Sequence, residues 1–180
     1  MHDDIKTVLL TKEQIEARVK EMGAQITDEY KDKDLVVIVL LKGAAWFATD
    51  LTRAIDMPLR IDFMVASSYG NGTTTSGNVK VKLDISEDIK GKDVLLIDDI
   101  IDSGLTFAAI SDLLRQSKPA TLKTVALCDK AERRINGLKA DYVGFQIPDE
   151  FVVGYGLDYA GDYRNLPYIG VLKPSVYARK

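Results

Sequence analysis

The chain has 180 residues, enough for one domain with a substantial core, and its 24 Lys and Arg against 27 Asp and Glu give a net charge of −3. That balance supplies no overall basic field for nucleic acid, and no apolar run approaches the roughly 18 residues of a membrane helix. The start, Met1-His2-Asp3-Asp4, lacks the basic-then-apolar order of a secretion signal, so the expectation is a cytoplasmic protein with no nucleic acid and no membrane among its main partners.

In chain order, Thr7 to Leu10 reads as a short strand, and Thr11 with Gln14 forms a capping-box pattern for a helix running to about Tyr30. Ile15, Val19, Met22 and Ile26 share one face of it. Leu35 to Leu41 is an unbroken apolar run, the pattern of a strand buried on both faces. It ends in Lys42-Gly43, after which Ala44, Phe47, Leu51 and Ile55 repeat at helical spacing. A Lys-Gly pair alone says little, but at the C-terminal edge of a parallel strand it is a plausible anion site.

After Pro58, Leu59 to Ala66 reads as a strand with Ile61, Phe63 and Val65 alternating, and a second strand alternates at Val79, Val81, Leu83 and Ile85. Between them, Ser67 to Asn78 has no apolar period. A loop of that length inside a compact domain reads as a lid or as a flexible excursion.

The chain is organised around Val94 to Thr106. Val94-Leu95-Leu96-Ile97 reads as a buried strand, and the carboxylates Asp98, Asp99 and Asp102 begin where it ends. Ser103-Gly104-Leu105-Thr106 then turns into a helix carrying Phe107, Ile110, Leu113 and Leu114 and stopping near Lys118-Pro119. Unpaired N–H groups at such a helix start favour a phosphate, whereas three aspartates repel one. A ligand with two ends, a phosphate and a set of hydroxyls or a cation-bound group, resolves the conflict, and a phosphorylated sugar has both. An Asp-Asp pair by itself reads equally well as a solvated strand edge with a helix cap. A receiver-type phospho-acceptor is disfavoured, because the acids come after mid-chain and the hydroxyl-bearing turn follows within the same loop.

Leu122 to Leu127 forms the next strand and delivers Asp129-Lys130 to the same sheet edge; taken alone, Lys130 reads as solvated. Cys128, the single cysteine, sits in an apolar run and reads as core, since a catalytic thiol would need a histidine and His2 is the only one. Tyr142 to Phe145 and Phe151 to Gly156 are short apolar runs, Tyr168 to Leu172 closes a small lobe with the N-terminal strand, and Lys173 to Lys180 reads as a polar tail. Strands alternating with helices from Leu35 to Leu127 predict an α/β fold with a mostly parallel central sheet flanked by helices.

The run Asp98-Asp99-Ile100-Ile101-Asp102-Ser103-Gly104-Leu105-Thr106 resembles the phosphoribosyl-diphosphate signature of the type I phosphoribosyltransferases, most closely the hypoxanthine (hypoxanthine-guanine) branch. Leu41-Lys42-Gly43, Ser67-Ser68-Tyr69 and the run from Gly144 to Tyr168 extend the likeness over most of the chain in the expected order. The resemblance implies a single domain with a core at about 35–145, a hood lobe from about 1–12 and 146–180, and a lid at about 67–79 that includes Ser68 and Tyr69.

It further implies transfer of 5-phosphoribosyl from its 1-diphosphate to N9 of hypoxanthine or guanine. In that scheme Lys42 and Gly43 form the diphosphate loop, in which the peptide before the lysine is cis in some members. Asp98 and Asp99 hold the ribose hydroxyls; Asp102, Ser103, Gly104, Leu105 and Thr106 surround the 5′-phosphate; Arg164 faces the diphosphate. Lys130, Phe151, Val152 and Asp158 are the implied purine contacts, and Asp102 is the implied catalytic group, taking a purine proton at N7. Mg²⁺ is the implied cofactor, near Asp158, Asp98 and Asp99, and a homodimer or homotetramer is the implied assembly. The chain departs from some members in carrying Asp98 for Glu and Leu105 for a basic or polar residue. The alternative is a nucleotide-sensing regulator on the same fold, which would call for an added DNA-binding segment or a basic face.

Overall fold

The computed structural model describes residues 2–68 and 79–178. Tyr69 and most of the expected lid, together with the side chain of Ser68, lie outside the described residues.

The first strand, β1 (Ile5–Leu10), leads into α1 (Lys12–Tyr30), where Thr11 accepts from the Gln14 backbone and the Gln14 side chain accepts from the Thr11 backbone. Both halves of the capping box are therefore made, and two of the helix's orphan N–H groups are satisfied. Next come β2 (Leu35–Leu41), α2 (Ala45–Ala54), β3 (Arg60–Ser68), β4 (Val79–Leu83) and β5 (Asp93–Ile101). They are followed by α3 (Leu105–Gln116), β6 (Thr121–Asp129), β7 (Tyr142–Gln146), β8 (Val152–Val153), β9 (Ile169–Leu172) and α4 (Pro174–Tyr177).

Six strands make one sheet in the order β4-β3-β2-β5-β6-β7, parallel except for the β3–β4 pair. The unbroken apolar runs serve both faces. Leu35, Val37, Val39, Leu95 and Ile97 pack under α1 and α2 with Ile15, Met22, Phe47 and Leu51, while Val36, Ile38, Leu96 and Ala126 pack against Phe107, Ile110 and Leu114 of α3. Full burial of each such Leu, Ile or Phe contributes roughly 1.5–3 kcal/mol. Cys128 is buried, as its apolar run implies. A second, antiparallel sheet, β1-β9-β8, joins the two ends of the chain.

Two expectations are corrected, and one point left open, the inward face of β3, is decided. β5 does not stop at Ile97 but pairs with β6 as far as Ile101, opposite Asp129, so Asp98 and Asp99 sit on the strand itself. Ladder bonds to the long neighbouring strand outweigh the poor strand propensity of aspartate. On β3 the alternating Ile61 and Phe63 face outward, and it is Met64 that is buried. The segment read as a polar tail contains α4, whose Val176 and Tyr177 pack onto the cluster of Val153, Leu166 and Leu172.

Candidate active site

Sheet order reverses between β2 and β5, the point at which open α/β sheets bind ligands beyond their strand C-termini. Lys42-Gly43 follows β2, the acidic residues close β5, and Lys130 follows β6, so all three lie along one edge. The Leu41–Lys42 peptide is cis. The backbone approach here is close: a Cβ on Gly43 would overlap the Asp99 carboxylate, and one on Gly156 would overlap the Gly43 carbonyl. Gly156 also has a φ of +100°, a conformation side chains avoid. Arg164 completes this corner, donating from Nη1 to the Gly156 carbonyl at 2.6 Å and pairing through Nη2 with Asp158 at 2.7 Å. A cleft of 560 Å³ opens beside it, lined by Asp4, Trp46 and Gly161 to Asn165.

Asp98 and Asp99 are neighbours with like charge. Burial, then repulsion from Asp99, holds the Asp98 carboxyl well above the usual range. Asp99 is raised by burial as well, against the pull of the Arg164 guanidinium and of hydrogen bonds. Two partly buried carboxyls with raised proton affinity suit a cation or sugar hydroxyls as partners. Asp98→Asn removes one of the opposed charges, so the ligand-free protein gains stability. Its melting midpoint should rise by about 2–4 °C for each kcal/mol of repulsion relieved. A scanning-calorimetry midpoint below wild type would show that the pair is stabilising as it stands.

The donor set at this corner, carboxylate oxygens without imidazole or thiolate, is that of a hard cation such as Mg²⁺. Among the described residues no three Asp, Glu, His or Cys side chains gather as a cage. Asp158 stands apart from the β5 pair in its bonding, with Oδ1 on Arg164 and Oδ2 accepting from the Gly161 N–H at 2.8 Å. Such a set fits an ion that takes most of its shell from phosphate and water.

Beyond Ile101 the chain turns through Asp102, Ser103 and Gly104 into α3, whose N-cap Gly104 has no side chain to cap it; the Leu105 N–H reaches the Ser103 hydroxyl at 3.4 Å, and a 240 Å³ cleft at this start is lined by Asp98, Asp102, Ser103, Gly104 and Thr106. Helix dipole and amides favour a phosphate there. Gly104 is needed twice over: its φ is +82°, and a Cβ would stand 2.7 Å from Asn136 Oδ1 and 2.8 Å from Arg134 Cδ. The segment after Lys130 braces this turn, with Ile135 N–H donating to the Ser103 carbonyl at 3.3 Å and Asn136 Nδ2 to the Gly104 carbonyl at 2.9 Å. Arg134 lies behind it, paired with Asp129 and nearly sealed from water. Leu105 is exposed and offers only its backbone.

Asp102 and Lys130 meet through a charged chain. Arg133 Nε lies 2.7 Å from Asp102 Oδ1 without hydrogen-bond geometry, Arg133 Nη1 donates to Asp149 at 3.2 Å, and Lys130 Nζ lies 3.8 Å from the same Asp149 oxygen. Lys130 is not solvated but 7% exposed, with its backbone N–H on the Ile101 carbonyl at 3.0 Å. Phe151, 39% exposed, stands just before buried Val152, the first residue of β8 in the hood sheet. Arg133, Arg134, Asn136 and Asp149 were not singled out in the sequence. The only trace was the Arg-Arg pair following Lys130, and the contacts depend on how the 131–138 segment folds back.

An open parallel sheet with a capless helix start, paired acids and a lysine at its switch point defines the class: a protein built to hold a phosphorylated sugar beside a second, flat reactant. The phosphoribosyl transferase domain family matches residues 7–160, and the chain belongs to that family. It is 53% identical over 177 residues to the hypoxanthine-guanine phosphoribosyltransferase of Bacillus subtilis, covering 98% of each. It is 50% identical to the bifunctional protein TilS/HprT of Listeria innocua, covering 99% of this chain and 28% of that longer protein. The crystal structure of a hypoxanthine phosphoribosyltransferase from Staphylococcus aureus superposes with a TM-score of 0.95 at 52% identity, covering 98% and 96% of the two chains. No helix among the described residues is long and apolar enough to cross a membrane.

Proposed function

We propose that this protein is a purine salvage transferase that moves 5-phosphoribosyl from its 1-diphosphate to N9 of hypoxanthine or guanine, giving IMP or GMP and diphosphate. The observation that carries the reading is the convergence of Lys42-Gly43, Asp99, the 102–106 turn and Lys130 on one sheet edge. The names of the near full-length relatives point the same way.

N9 attacks the anomeric carbon, the C–O bond breaks, and its electron pair leaves on the diphosphate. Positive character grows on the ribose during that exchange. Asp98 and Asp99 hold the 2′ and 3′ hydroxyls and stabilise that charge. Ser103, Gly104, Leu105 and Thr106 bind the 5′-phosphate through N–H and hydroxyl groups, and Arg164 with the Lys42-Gly43 loop holds the departing diphosphate. Asp102 takes the N7 proton. Lys130, a donor that cannot accept, reads a 6-oxo group and rejects a 6-amino group. Phe151 supplies the flat apolar face for the base, and Val152 offers backbone groups to its edge. Mg²⁺ would neutralise charge on the diphosphate, and Asp158, Asp98 and Asp99 are the residues that would hold it.

The setting is the cytoplasm, and the assembly is an even-numbered homo-oligomer; the outward Ile61, Phe63 and Leu83 provide apolar surface for one. The test is ultraviolet absorbance as the protein meets hypoxanthine, the sugar diphosphate and Mg²⁺. IMP forms and adenine stays inert. Binding of nucleotide without turnover of either base would instead assign a regulator.

A further inference from the structure

The hood holds an aromatic stack that the reading above leaves unused. Tyr177 of α4 lies face to face with Phe151, with ring centroids 5.0 Å apart and planes at 24°, and Tyr159 stands nearly perpendicular to Phe151, at 5.6 Å and 85°. Tyr177 meets Tyr159 in turn at 6.5 Å and 63°, closing a three-ring cluster. Its partners beneath are hood residues, Val153, Leu166 and Leu172, and not the crevice of the main sheet. Phe151 is thus held by two hood rings, yet 39% of the residue remains accessible. Phenylalanine has two torsions and no polar handle, so on an open surface it would sample several rotamers.

We infer that Tyr177 is a positioning residue for the purine: it fixes the Phe151 ring so that its accessible part meets the base, extending the stack to base, Phe151 and Tyr177. The inference rests on Phe151 being the base platform. Offset stacked aromatic pairs contribute about 0.5–1.5 kcal/mol beyond burial, which corresponds to about 2- to 10-fold in an equilibrium constant. The contact acts on base binding and not on the phosphate loop or Asp102, so the effect belongs in the purine KM.

The experiment is steady-state kinetics of the full chain with hypoxanthine and the sugar diphosphate varied in turn. Tyr177→Ala raises the purine KM by about 2- to 10-fold, with kcat and the sugar-diphosphate KM at wild-type values, and Tyr177→Phe restores the purine KM. Val176→Ala, which loosens the same short helix but keeps the stack, does not reproduce the shift. An unchanged or lowered purine KM in Tyr177→Ala overturns the inference, as does an equal rise in Val176→Ala. Phe151→Ala separates the two levels of the argument. If it raises the purine KM while Tyr177→Ala does not, only the role of Tyr177 fails; if neither raises it, the platform itself is wrong.

Discussion

Asp102→Asn lowers turnover by about 10²–10⁴-fold, the range that general-base assistance contributes. An amide matches the carboxyl in shape but cannot take a proton from N7, so the purine's N9 side loses basicity at the moment of attack. The fold does not depend on this group. The turn that carries it is held by the Ile135 N–H on the Ser103 carbonyl and by Asn136 on the Gly104 carbonyl, and the Asp102 oxygen facing Arg133 has no hydrogen-bond donor. The ion pair to Arg133 is about half exposed on each side, and such pairs contribute about 0–1 kcal/mol. Melting behaviour and the KM for the sugar diphosphate therefore stay close to wild type while kcat falls. Turnover near wild type would remove Asp102 from the proton transfer.

Gly156→Ala is the more damaging change to the molecule as a whole. A residue with a side chain at φ +100° is strained, and its Cβ would overlap the Gly43 carbonyl, an atom of main chain with no room to swing aside. Backbone strain and overpacking each cost about 1–3 kcal/mol, so together they should destabilise the protein by about 2–6 kcal/mol. The injury also reaches the chemistry. The Gly156 carbonyl accepts from Arg164 and its N–H donates to the Arg164 carbonyl at 2.9 Å, so moving this peptide drags the arginine and the Lys42-Gly43 loop together. Thermal denaturation and the KM for the sugar diphosphate measure the two consequences. A variant with wild-type melting would mean that the 154–157 turn has another conformation open to it.

Much of this architecture was legible because local signals agreed with the global fold. The Thr11 and Gln14 pair marked where α1 starts, and the uninterrupted runs at Leu35 to Leu41 and Val94 to Ile97 marked strands covered on both faces. Alternation on β3 marked the strand but left its inward face open. Period 2 shows that two faces differ, but not which is inward, and the core took Met64 in place of Ile61 and Phe63. The end of β5 was hidden because Asp98 and Asp99 look like loop residues until β6 is there to pair with them. Asp149 and Arg133 could not be found from spacing, since their meeting with Lys130 and Asp102 is made only by the return of the chain after β6 and β7. The four residues of α4 are too few for a periodic signal, and two aromatic partners, Phe151 and Tyr159, hold that segment in place.

The small sheet that pairs β1 with β9 has a bearing on how the protein is made. β1 is synthesised before every strand of the six-stranded sheet and its hydrogen-bonding partner β9 after all of them, so that sheet has all its strands in the chain while β1 still has an open edge. Phe151, Arg164 and Tyr177 belong to that late-maturing part. The 102–106 turn and Lys130 are thus in the chain before those hood residues.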